Sequence, residues 1–319
     1  VARNKTEVAR EYLDKLNDPE IPTQTIARAL HRKHKSLFPT VENARSIVRT
    51  LRGARGAPAS EATHKREPKP HGWNIPAGIE QVLPCRRFTE PGKWLLINDV
   101  HVPFHDSVRL TAVLDIAINE GCDHVAVNGD FYDFHQISKY ERDINGLDIL
   151  GELRVGQPIL EQIGKRFPGR KVYKVGNHDH RFDKFLMNAV PELARSERLR
   201  LAAYLELSAM GFETIANTQQ YMIGEQPIYH GHELGFGIGN PALFANNVFR
   251  MLQSSLLVGH GHGSHQITKT YAGKPPMTVT FVGHLGLRQN YRPVTDQTTG
   301  YAILDVQRDG TTTVENRKI

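Results

Sequence analysis

Short apolar runs that stop on polar residues recur along much of this chain, and they predict strands. LLINDVH at 95–101, VAVNGD at 125–130, KVYKVGNHD at 171–179, IYHGH at 228–232 and LLVGHGH at 256–262 share this layout. Runs of this length bounded by Gly read as short strands. Between them, apolar residues take helical spacing. Residues 108–119 place Leu110, Val113, Leu114, Ala117 and Ile118 on one face. Residues 147–167 predict a long helix broken near Gly156-Gln157-Pro158, and 181–209 read as helical, with Pro191 opening a second piece. A further helix is expected at 241–253, and strands at 212–215, 221–223, 278–282, 301–306 and 312–315. Alternating strands and helices predict an α/β domain. In such folds the carboxyl ends of the strands build the site, and here five of those ends are polar.

The amino-terminal pattern differs. Residues 3–17 put Val8, Tyr12, Leu13 and Leu16 on one helical face, and Asn17-Asp18-Pro19 stops the helix. Residues 22–37 and 41–51 predict two more helices, separated by Phe38-Pro39-Thr40 and ended by Gly53. Three short helices are compatible with a helix-turn-helix-like module. Residues 54–72, rich in Gly, Ala, Pro and charge without periodicity, read as a flexible linker. The expected organisation is a small helical domain at 1–53, a linker at 54–72 and a catalytic domain at 73–319.

Composition refines this picture. The 39% apolar and 23% charged content is ordinary for a globular protein. No apolar run is long enough to span a bilayer, so no membrane is expected and the reading is cytoplasmic. Two cysteines, Cys85 and Cys122, are too few for a disulfide framework and fit a reducing compartment. The net charge of +6 is uneven: residues 1–75 carry +7 and the rest −1. The basic excess predicts nucleic-acid binding through Arg28, Arg32, Lys33, Lys35, Arg45, Arg49 and Arg52. The alternatives are a solvated basic face or a docking platform for a protein partner.

The strand ends collect Asp99, His101, Asp130, Asn177, His178, His230, His260 and His262. Carboxylates, imidazoles and one amide suit Mn, Fe or Zn better than Ca, which prefers all-oxygen cages. They are more than one tetrahedral ion needs. Two ions about 3.5–4 Å apart would clamp an in-line displacement at phosphorus and lower the pKa of a bridging water, so that hydroxide is available near neutral pH.

In this order, Asp-x-His, Gly-Asp, Gly-Asn-His-Asp, His-Gly-His and Gly-His-x-His resemble the calcineurin-like metallophosphoesterase superfamily, over roughly residues 93–306. The resemblance implies a two-sheet β-sandwich flanked by helices, with metals at the carboxyl ends of the strands. It implies that Asp99, His101 and His262 hold one divalent metal ion, that Asn177, His230 and His260 hold a second, and that Asp130 bridges them. Mn is the expected metal, with Fe, Zn, Ni or Mg as alternatives. His178 would sit beside the scissile phosphate, with Asp179 orienting its ring.

The superfamily spans many phosphoesters, so the departures matter. Its Ser/Thr protein phosphatases carry Gly-Asp-x-x-Asp-Arg-Gly and Gly-Asn-His-Glu. Here Asp133 fits, but Phe134 and His135 replace Arg and Gly, and Asp179 replaces Glu. Phe131, Tyr132, Phe134, His135, Lys139, Tyr140 and Arg142 follow the bridging Asp. Aromatics interleaved with cations can stack bases and pair phosphates; the plainer reading packs Phe131 and Phe134 in the core. His180, Arg181 and His232 adjoin the motifs and are candidate substrate contacts. The chain also looks similar to metallophosphoesterases encoded by phages, which implies a bacterial or phage-infected cytoplasm. The expected function is a two-metal phosphodiesterase or nuclease on DNA or RNA. The alternative is a phosphomonoesterase on nucleotides or phosphoproteins. A third reading, a purely structural metal site, leaves His178 without a role.

Overall fold

The computed structural model describes residues 4–53, 77–79, 82–139, 146–287 and 297–319. The chain divides into two compact units, Val1–Glu80 and Gln81–Ile319. The first unit holds α1 (Lys5–Leu16), α2 (Thr23–Lys33) and α3 (Val41–Leu51). Asn4 caps α1 in a reciprocal box with Glu7, and the Thr40 hydroxyl caps α3 by accepting from the Asn43 N–H. Val8, Leu13, Ile26, Leu30, Phe38, Val48 and Leu51 form its apolar centre. Arg28, Arg32, Lys33 and Lys35 are exposed. Arg52 departs from the expectation of a phosphate contact. It is 8% exposed and donates to the Ile21 carbonyl at 2.8 Å and the Thr23 hydroxyl at 3.1 Å, tying α3 to the start of α2.

The second unit contains β1 (Arg86–Phe88), β2 (Gly92–Ile97), α4 (Ser107–Asn119), β3 (Cys122–Asn128), α5 (Ile149–Arg166) and β4 (Lys171–Lys174). There follow α6 (His180–Ala189), α7 (Pro191–Ala194), α8 (Leu201–Tyr204), β5 (Phe212–Ile215), β6 (Tyr221–Ile223) and β7 (Gln226–Tyr229). The chain closes with α9 (Pro241–Met251), β8 (Leu256–Val258), β9 (His265–Lys269), β10 (Met277–Phe281), β11 (Gly300–Val306) and β12 (Thr312–Lys318). Among the described residues these strands form two six-stranded sheets, ordered β12-β11-β2-β3-β4-β5 and β1-β6-β7-β8-β10-β9. β2 through β5 run parallel, as do β7, β8 and β10.

Period-2 alternation explains the layering. Trp94 and Leu96 of β2 and Ala126 of β3 join Ile223, Ile228 and Leu257 of the other sheet in the sandwich interior. Leu95, Ile97, Val125 and Val127 face the opposite way, onto Leu110 and Val113 of α4 and Leu160 and Ile163 of α5. Phe244, Val248 and Phe249 of α9 cover the outer face of the second sheet. Helices, sheet, sheet and helix therefore stack in that order. Among the described residues no helix is long and apolar enough to cross a membrane.

One expectation fails locally, and a second is met only in part: Pro191 does open a new helix, but more breaks follow. α5 runs unbroken through Pro158, because Leu153, Gly156, Leu160 and Ile163 all face the core. Their burial offsets the roughly 3 kcal/mol that an interior Pro costs. Residues 181–209 split into α6, α7, a 3-10 turn at Glu197–Leu199 and α8.

Candidate metal centre

β2, β3 and β4 end side by side in one sheet, and β7 and β8 end side by side in the other. Asp99 and His101, Asp130, Asn177 and His178, His230, and His260 and His262 follow those ends in turn. The backbone bends sharply there. Asp99, His101, Asp130, His260 and His262 all adopt the left-handed conformation, with φ between 51° and 60°. That conformation costs a non-glycine residue about 1–2 kcal/mol, and such outliers cluster at functional sites. Close approach also requires glycine. A Cβ on Gly129 would strike the His230 ring, and one on Gly176 would strike the Asp130 carboxylate.

The side chains converge. Asp130 Oδ2 lies 3.2 Å from His230 Nε2 and 3.9 Å from His260 Nδ1. Asp99 Oδ1 lies 3.4 Å from His262 Nε2, 3.8 Å from His101 Nε2 and 4.0 Å from His230 Nε2. Asn177 Oδ1 is 3.2 Å from His230 Nε2, and His101 Nε2 is 3.0 Å from His262 Nε2. Three groups result: Asp99, Asp130, His230 and His260; Asp99, His101 and His262; and His101, Asp133 and His178. Asp99 and His101 each belong to two groups and Asp130 to one.

The outward nitrogens are tied. His230 Nδ1–H donates to the Asn128 carbonyl at 2.8 Å, and His101 Nδ1–H donates to Asp133 Oδ1 at 2.9 Å. Each ring therefore turns its Nε2 toward the cluster. Asp99 Oδ1 and Asp130 Oδ2 are buried and accept no hydrogen bond, although buried polar atoms are nearly always satisfied. Orphaned carboxylate oxygens facing inward-turned imidazoles fit a divalent cation, so the clusters could hold metal ions. Electrostatics agree. Burial raises the Asp99 and Asp130 carboxyls, but neighbouring imidazoles, His230 foremost, outweigh it and hold both below the usual range. Burial opposes charge on His230, yet Asp130 and then Asp99 push it up to about 10, so its Nε2 holds a proton that a metal ion would displace.

His178 stands beside this cluster. Its N–H donates to Asp130 Oδ1 at 2.8 Å, and its Nδ1 lies 2.9 Å from Asp133 Oδ1. Arg181 donates from Nη1 to the Asp133 carbonyl at 2.7 Å and from Nη2 to His178 Nε2 at 3.0 Å. Asp179 does not orient the His178 ring. Its fully buried carboxylate accepts from the Tyr132 N–H and the Gly176 N–H at 2.9 Å and from the Tyr173 hydroxyl at 3.0 Å. The residue that holds the ring is Asp133, whose one oxygen serves both His101 and His178. Its signal in the sequence was an Asp three places after Asp130.

His232 sits at the edge, its ring centroid 5.2 Å from His230 and 6.2 Å from His260. His180 opens α6, and burial lowers its pKa; it is in none of the three metal groups. Lys139 is exposed, and Tyr140 and Arg142 lie outside the described residues. The base-stacking expectation for the aromatic loop is not met. Phe131, Tyr132 and Phe134 are fully buried, Tyr132 stacking on Phe134 at 5.1 Å. They anchor the loop that carries Asp133.

No protein-family model matches the chain, and no curated protein matches it. Solved structures similar to it include Vacuolar Protein Sorting 29 from Cryptosporidium parvum, 16% identical over 72% of this chain and 99% of that one, with a TM-score of 0.38. Vps29 from Entamoeba histolytica, complexed with zinc, is 18% identical over 71% and 98%, with a TM-score of 0.35. A cold-active protein-tyrosine phosphatase of a psychrophilic Shewanella species is 14% identical over 78% and 88%, also with a TM-score of 0.35. At these scores the likenesses leave activity and substrate open.

Proposed function

We propose that this chain is a metal-dependent phosphoester hydrolase. The observation that supports it most is the pair of buried, unsatisfied oxygens, Asp99 Oδ1 and Asp130 Oδ2, ringed by imidazole nitrogens. Asp99, His101 and His262 would hold one cation, and Asn177, His230 and His260 a second, with Asp130 as the expected bridge, although Asp99 is the carboxylate common to the His262 and His260 clusters. Divalent ions there, Mn foremost, would offset charge on a phosphoryl group and make water acidic enough to attack it. Asp133 holds His178 by Nδ1, and the ring's Nε2, which here accepts from Arg181, would have to exchange that bond for a proton before it could meet a leaving oxygen. Arg181 adds positive charge at the same nitrogen.

Within this class the favoured substrate is a phosphodiester of DNA or RNA, held by the basic amino-terminal unit with its exposed Arg28, Arg32, Lys33 and Lys35. With the aromatic loop buried, the basic unit alone carries this preference. The second reading, a phosphomonoesterase with that unit docking a protein, draws on Arg181, because a guanidinium suits a dianionic terminal phosphate. Initial rates on bis-p-nitrophenyl phosphate and p-nitrophenyl phosphate, with excess Mn and Asp130→Asn as background, separate the two. Diester preference lost in the variant supports the first; monoester preference moves the assignment to the second. Equality with the variant on both substrates removes the hydrolase reading. For the polymer, reversing Arg28, Arg32 and Lys35 in the full chain should flatten the salt dependence of DNA binding.

A further inference from the structure

Lys174 closes β4, three residues before Asn177, and its side chain is completely buried. Its ammonium donates to the carbonyls of Ala216 at 2.8 Å, Asn217 at 2.7 Å and Gln219 at 2.8 Å, and lies 3.4 Å from Glu233 Oε1. The Glu233 side chain is 5% exposed. Its Oε1 accepts the His230 N–H at 3.0 Å, and its Oε2 accepts the Gly231 N–H at 2.7 Å. Gly231 has a φ of +129°, a conformation that side chains rarely adopt, and a Cβ there would meet Val258 Cγ2 at 2.9 Å and His260 Cβ at 3.2 Å. The turn that aims His230 is therefore held by glycine freedom and by one carboxylate. Asn128 completes the hold: its carbonyl fixes the His230 ring, and its side-chain amide bonds the Tyr229 carbonyl at 2.9 Å.

This arrangement links the sheets. Lys174 is in the sheet that carries Asn177, and Glu233 follows the strand of the other sheet that carries His230. Removing an ammonium and a carboxylate from water is costly, and a well-packed apolar pair of similar volume often stabilises a fold as well or better. Neither side chain is in the metal groups. What the pair does that an apolar pair would not is grip two consecutive backbone N–H groups beside His230. We propose that Lys174 and Glu233 are positioning residues that set His230 for the half of the metal centre formed with Asn177 and His260. The inference rests on the metal-binding reading above.

The test is calorimetric titration of the full chain with Mn(II), alongside thermal unfolding without metal. Glu233→Gln keeps the shape and removes the charge. Lys174→Met with Glu233→Gln removes the pair without stranding a buried ion. His230→Ala is the reference. Groups that orient ligands typically change metal affinity 10–100-fold, and a loss of that size is expected for Glu233→Gln and for the double variant. In the His230→Ala background, Glu233→Gln should have no further effect on affinity. A lower melting temperature with Mn affinity unchanged, or an equal loss of affinity with and without His230, overturns the proposal and leaves the metal centre standing. Failure of the unsubstituted chain to bind Mn overturns both. If the double variant does not fold, Glu233→Gln with its cycle decides.

Discussion

Asp133 is the residue on which the proposed chemistry turns most sharply. One of its oxygens accepts from His101 Nδ1 and His178 Nδ1, each at 2.9 Å, and its side chain is 4% exposed. Burial raises its carboxyl, but the two imidazoles outweigh burial and hold it far below the ordinary range, so it is the charged form that bonds both rings. A hydrogen bond to a charged group contributes about 1.5–3 kcal/mol, and a neutral one about 0.5–1.5. Asp133→Asn retains the accepting oxygen and loses the charge, about 1–1.5 kcal/mol per bond, or about 2–3 for the two. At about 1.4 kcal/mol per decade that is a loss of roughly 30–150-fold in kcat/KM. Asp133→Ala frees both rings, for about 3–6 kcal/mol and a loss of roughly a hundred- to ten-thousandfold. The assay is hydrolysis of bis-p-nitrophenyl phosphate at saturating Mn, with bound metal counted in parallel. The Asn variant should lose mainly kcat, and the Ala variant kcat together with Mn affinity, because His101 is also released. A folded, metal-loaded Ala variant within threefold of the parent would refute the reasoning.

Three further outcomes are expected. Gly156→Ala would normally stabilise a helix by about 1 kcal/mol, but its Cβ would strike the Tyr132 ring. The sign should reverse, at about 1–3 kcal/mol, seen in calorimetry as a melting temperature about 2–10 °C lower. Glu152 accepts the Phe134 N–H at 2.6 Å, and burial pushes its carboxyl from 4.5 up to about 8. The native state then keeps a proton that the unfolded chain releases, so stability falls as pH rises from about 5 through 8. Glu152→Gln should remove a pH-dependent contribution on the order of a few kcal/mol, and parallel urea-unfolding profiles for the two proteins would exclude it. Arg52→Ala should destabilise the helical unit by about 1–3 kcal/mol, whereas Arg32→Ala at the surface should change little. Hydrogen exchange within α2 distinguishes them.

The local pattern determined a good deal. Apolar runs bounded by glycine located the strands that carry the candidate ligands, because burial on both faces keeps residues 94–97, 125–127 and 256–258 apolar. Helical periodicity placed α1 to α3 within a few residues, because caps and breakers act locally. β1 and β9 were not legible. Arg86 and Arg87 are exposed, and β9 is a mostly polar edge held through β10, so neither shows an apolar signature. At the centre, sequence assembled the ligand types but not their connections. Asp179 adjoins His178 in the chain, yet it turns to the Tyr132 and Gly176 N–H groups, which would otherwise be buried and unsatisfied. That left Asp133, reached through the β3–β4 pairing, to hold the ring. The aromatic loop shows the same division. Its composition fits either a stacking surface or a core, and only the packing of α5 against Tyr132 buries it. Lys174 lay inside a run that read as apolar strand, and its part became visible only when the second sheet brought Glu233 to it. Spacing along a chain sets which residues share a face. Which distant groups meet is decided by sheet order, and by the requirement that every buried donor and charge find a partner.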